Sequence, residues 1–83
     1  MSIVEQREKS LAEAVAILIE EIHKSFPIAS TRPVPPYEDE DFTLEVKIPP
    51  GMDREEVMNA CIRHALQIED QFGFAILTRV KEN

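Results

Sequence analysis

The chain carries a single cysteine, Cys61, so no internal disulfide framework can staple it, and the redox compartment is left open. It lacks a glycine-rich phosphate cradle, a grouped serine, histidine and aspartate, and a metalloprotease helix motif, so three large enzyme classes have no foothold. No stretch approaches the roughly 18 consecutive apolar residues that a membrane span needs. Met1 leads directly into Ser-Ile-Val-Glu-Gln-Arg-Glu rather than into a basic region and an apolar core. A cytoplasmic protein without membrane contact is expected. Basic residues are also scarce, nine against sixteen acidic ones, for a formal net charge of -7. A summed field of that sign repels polyphosphates and anionic lipid, which ranks nucleic acid low among partners.

What is present is a sharply punctuated strand, helix and strand. Phe42-Thr43-Leu44-Glu45-Val46-Lys47-Ile48 alternates apolar and polar side chains without an error. Pro49, Pro50 and Gly51 stop it. Asp53 followed by Glu56 is a capping-box pattern, so a helix is expected over residues 54–72, closed by Gly73. Phe74 to Val80 reads as a second apolar strand. A helix of about 19 residues between them makes neighbouring strands parallel with a right-handed crossover. Thr43, Glu45 and Lys47 give the first strand a polar outer face, which argues for helices on one side only.

An amphipathic helix is expected over about residues 2–25. Val4, Leu11, Val15, Leu18, Ile22 and Phe26 fall on one stripe, widened by Ala12 and Ile19. Glu5, Lys9, Glu13, Glu20 and Lys24 hold the wet side, and Ile17 breaks the pattern. The fold class is therefore α/β: a small two-layer body of order α-β-α-β, one domain over residues 1–83, with the right-handed β-α-β unit at about 42–80. Residues 27–41 form a connection holding four of the six prolines, Tyr37 and the acidic run Glu38 to Asp41. It reads either as an edge piece around Ile28 to Arg32, with Ile28, Val34 and Tyr37 folded back on the body, or as a mobile arm. Arg32 to Tyr37 reads as a stiff polyproline linker. The acidic run lacks the alternating oxygens, central glycine and distal glutamate of a calcium loop, and is expected to be a solvated charge run that discourages unwanted edge pairing.

Cys61 and His64 are three apart on the second helix and could form a nucleophile pair or half of a zinc site. Cys61, however, falls on the stripe expected to face the core, and His64 on its border, where a backbone carbonyl should satisfy it. Lys47, Arg79 and Lys81 could gather at the sheet rim as an anion patch. Met58, Ile62, Leu66, Ile17 and Leu77 are apolar positions beyond what the core needs, and are the candidate interaction surface. No catalytic group, cofactor or metal is assigned. The expected function is that of a small non-catalytic interaction or regulatory module acting through protein–protein contacts as a homodimer. The alternative is a subunit of a small-molecule or metal-dependent enzyme using Cys61 and His64, and a nucleic-acid-binding protein ranks third.

Overall fold

Apolar residues three and four apart bury one stripe of the first helix. The computed structural model describes the backbone of residues 3–83 and the side chains of residues 10–83, and in it helix α1 spans Ile3–Ser25. Ala14, Val15, Leu18 and Ile22 are buried along it, with Leu11, Ile19 and Phe26 half-buried at its margins. Ala12 is exposed rather than part of the stripe, and Ile17 is exposed as well. The sequence assignments for Val4, Glu5 and Lys9 fall outside the described side chains, and Met1 and Ser2 outside the described residues. Pro27 closes the helix. The chain then turns through a bond from the Ala29 N–H to the Phe26 carbonyl, at 3.0 Å, and buries Ala29.

The connection that follows holds a strand. β1, Ser30–Val34, pairs antiparallel with β2, Phe42–Ile48. This settles the choice between an edge piece and a mobile arm in favour of the edge piece, two residues further on than expected. Pro33 lies opposite Leu44, which an edge strand tolerates because the missing N–H can be the one that faces solvent. Ile28 does not fold back on the body, being 68% exposed. The second helix, α2, spans Arg54–Phe72 as expected. The Asp53 carboxylate accepts from the backbone N–H groups of Glu55 and Glu56, at 3.1 and 3.3 Å. At the other end Gly73 takes φ +81°, and its N–H reaches the Glu69 carbonyl at 2.7 Å.

β3 covers Ile76–Glu82, not residues 74–80, and runs parallel to β2. The shift has a cause distant in sequence. The Ala75 N–H is held by the Asp41 carboxylate at 2.9 Å and the Ala75 carbonyl by the Asp41 N–H at 2.8 Å. Phe74 is buried in the core cluster as the chain passes from Gly73 to that clamp. Pairing with β2 therefore begins at Phe42 opposite Ile76 and carries the polar residues Lys81 and Glu82 into the ladder.

The sheet order is β1-β2-β3, so the element order is α-β-β-α-β. The expected α-β-α-β order missed β1, but the two-layer α/β body stands. α2 packs on β3, with α1 beside α2. Leu44, Val46 and Ile48 of the central strand are fully buried and join Leu18, Ile22, Val57 and Cys61 in one core. Burying an aliphatic side chain of this kind stabilises the fold by about 1.5–3 kcal/mol. No described helix is long and apolar enough to cross a membrane.

Candidate functional site

Alternation in the three strands sends one set of side chains away from both helices. The pairing register arranges that outer face in three rows: Val34, Thr43 and Leu77; then Arg32, Glu45 and Arg79; then Ser30, Lys47 and Lys81. The three expected anion-patch residues therefore do share one surface. Lys47 stands opposite Lys81, and Arg79 precedes it by two residues. Arg32, which sequence reading left in the linker, joins them because β1 pairs with β2. Glu45 is the acid among these four cations. The Arg32 guanidinium donates to it at 2.9 Å and, with Lys81 and Lys47 acting through space, holds its carboxyl below the ordinary value.

Tyr37 completes this face. It folds back onto the outer face of the sheet while staying 61% exposed, and its ring lies 4.3 Å from the Arg79 guanidinium, a cation–π contact. Two shallow hollows of similar size, about 430 and 420 Å³, meet at this ring. Glu45, Arg54, Arg79, Lys81 and Glu82 line the first. Ala75 and Leu77 line the second, with Glu38, Asp39 and Glu40 at its rim.

The acidic run is only half a solvated charge run. Glu38 and Asp39 are exposed. Glu40, by contrast, accepts hydrogen bonds from the backbone N–H groups of Tyr37 and Glu38, at 2.7 and 2.8 Å, and from the Thr43 hydroxyl. These bonds, the Thr43 hydroxyl first, pull its carboxyl down to about 2. Thr43, expected on a wet face, is fully buried under this loop. Asp41 clamps Ala75, as described above.

Cys61 is fully buried, and burial pushes its thiol up to about 11. A nucleophilic cysteine needs the opposite shift. His64 is half-buried, with Nε2 3.4 Å from the Ser25 hydroxyl. Its Nδ1 is buried without a hydrogen-bond partner among the described residues, so the backbone carbonyl expected to satisfy it is not there. Three or more histidine, cysteine or carboxylate side chains do not converge to hold a metal ion among the described residues.

The five candidate interaction residues divide. Met58, Ile62 and Leu66 recur every four residues on α2 and are 36%, 45% and 59% exposed. Ser25 at the end of α1 and Phe26 just beyond it meet Asn59, Ala60 and Arg63 across one groove, so α1 lies along that flank of α2. Met58, Ile62 and Leu66 are not among the residues lining that groove, and α2 itself packs on β3, whose outer edge has no strand partner among the described residues. Ile17 sits on α1, and Leu77 on the outer sheet face. Sequence reading missed a further apolar hollow, lined by Leu11, Ala12, Val15, Ala16, Ile19 and Phe42. Leu11, Ala12, Val15 and Ile19 belong to the stripe expected to face the core, and only the fold shows that they meet Phe42 around an open hollow.

The β3 edge itself has one occupant. Ala75 and Asn83 both turn their backbone groups toward β2. In a regular ladder alternate residues do the same, so Ile76, Thr78, Val80 and Glu82 turn theirs outward. The Arg54 guanidinium, at the start of α2, donates to the Val80 carbonyl on that side at 3.3 Å.

Against known proteins, no family model matches the chain, and neither the curated proteins nor the solved structures give a significant match. The functional reading rests on the residues themselves.

Proposed function

We propose that this protein is a non-catalytic interaction module that works as a two-fold dimer, with the Met58, Ile62 and Leu66 flank of α2 at the contact. The observation that carries the reading is this stripe, exposed along two helical turns on a helix whose remaining apolar residues are buried or, for Phe72, half-buried. α2 packs on β3, a seven-residue strand whose outer edge has no strand partner among the described residues. A two-fold axis lets one such patch serve both copies. Size supports the same reading, because a chain of 83 residues buries only about 60% of the surface its unfolded form exposes. The burial and raised pKa of Cys61 weigh against the catalytic alternative built on Cys61 and His64.

Sedimentation velocity across a concentration series tests the dimer. Wild type should shift from monomer to dimer by tens of micromolar, on the order of typical weak-dimer affinities, and Leu66→Glu should remain monomeric while keeping its circular dichroism. A wild type that stays monomeric throughout that range defeats the proposal. So does a dimer that survives Leu66→Glu unchanged, which would move the contact to another surface such as the Leu11 to Phe42 hollow.

A further inference from the structure

We propose that the outer face of the sheet docks a short acidic segment of a partner protein, with an apolar residue of that segment beside Tyr37. This deepens the reading of the chain as an interaction module, but it uses the opposite side of the sheet from the helices and does not require the dimer.

The argument begins with charge. The whole chain is strongly acidic, yet four of its nine basic residues, Arg32, Lys47, Arg79 and Lys81, stand on this one face. Two carboxylates neighbour them: Glu45, already engaged by Arg32, and Glu82, which lines the same hollow as Arg79 and Lys81. The end of the face away from the Glu38 to Glu40 loop thus holds four cations against two carboxylates on a negative molecule. Lone lysines on a sheet surface are ordinary solvated groups. Here, however, Tyr37 holds the Arg79 guanidinium in place, and the cation-lined and apolar-lined hollows adjoin on either side of that ring.

The three rows set the polarity of the ligand. An extended segment lying along β3 meets Leu77, then Arg79, then Lys81, in steps of about 6.6 Å for every second residue. An apolar side chain fits the hollow lined by Tyr37, Ala75 and Leu77, and carboxylates two and four residues away reach Arg79 and the Lys47 and Lys81 pair. Arg79 can take a carboxylate bidentately, while the lysines act as point charges.

Single-stranded nucleic acid fits less well. Sequence-tolerant strand binding relies on several aromatic platforms for base stacking, and Tyr37 is the aromatic residue on this face, with one side of its ring already given to Arg79. A polyphosphate long enough to cross the sheet also meets Glu38 and Asp39 at the Tyr37 end. A short acidic segment with an apolar end avoids that repulsion.

Fluorescence anisotropy provides the test, using a labelled peptide of about eight residues with one leucine followed by alternating glutamates. A lysine-for-glutamate version and a uridine oligonucleotide serve as competing probes. The acidic peptide should bind wild type saturably, and its affinity should weaken as salt is raised from low to physiological ionic strength. Lys47→Glu with Lys81→Glu should weaken it by at least about tenfold, or about 1.4 kcal/mol. Lys47→Gln with Lys81→Gln gives a second, gentler variant should the reversal disturb folding, and should also lose affinity. Retention of binding in Leu66→Glu separates this site from the dimer contact. The proposal is overturned by equal binding of the lysine peptide, by preference for the oligonucleotide, by indifference to both double variants, or by no saturation at millimolar peptide. Salt-sensitive self-association of wild type through the same lysines, without peptide binding, overturns it in favour of a second copy of this chain.

Discussion

Glu40 ties a turn to a buried hydroxyl through one carboxylate, and a sequence pattern of four consecutive acids hides that role. Its neighbours Glu38 and Asp39 are solvated, while Glu40 binds two backbone N–H groups and Thr43. Because the folded carboxyl titrates at about 2 against an ordinary 4.5, its contribution to stability is complete above about pH 5 and is lost as pH falls toward 2. Glu40→Gln should therefore melt below wild type at pH 7, with the gap closing on acidification. A gap independent of pH would place the effect in packing instead. Glu38→Ser with Asp39→Ser should leave the melting temperature nearly unchanged. Cys61 gives the converse case, since its periodicity disclosed its burial in advance. Its thiol should react with a maleimide at pH 8 only as fast as the fold opens, measured by mass shift against the urea-unfolded chain. Cys61→Ala should self-associate like wild type, whereas Cys61→Ser should cost about 1–3 kcal/mol if the new hydroxyl finds no partner.

At the scale of elements, the parts with local rules were legible. α2 begins and ends where Asp53 and Gly73 place it, and β2 spans the seven residues of its alternating run. Gly73 offers a clean measurement, because a Cβ there would meet nothing within 4 Å, so any cost is backbone conformation alone. Gly73→Ala should lose about 1–2 kcal/mol in urea unfolding, and Gly73→Asn less. A neutral Gly73→Ala would mean that the helix end readily rearranges. What the sequence hid was non-local. β1 has two prolines at or beside its end and gains strand character only from β2, and β3 starts late because Asp41, 34 residues earlier, clamps Ala75. The same gap explains the candidate site. Lys47, Arg79 and Lys81 could be grouped from strand alternation, but Arg32 and Tyr37 enter only once β1 is paired and the loop has folded over β3.

For the whole molecule, the proposed dimer ties stability to association. If dimerisation covers the Met58, Ile62 and Leu66 flank, it also adds to the stability of each copy by mass action. The melting temperature of wild type should then rise with protein concentration, and that of Leu66→Glu should not. Parallel melts over a hundredfold dilution series would show it. Equal slopes for the two proteins would separate folding from association.

The Arg54 guanidinium on the Val80 carbonyl gives any such encounter an order of events. An incoming strand, whether from a second copy or from an unrelated chain, finds this outward acceptor occupied, and must trade one hydrogen bond for another before it can zip along the edge. Indiscriminate strand addition should be slower than on an edge whose acceptors are all open. Arg54→Ala should therefore shorten the lag before thioflavin-positive aggregates form under mild heating and leave the monomer fold intact, making this residue a timer for the sheet edge rather than a brace.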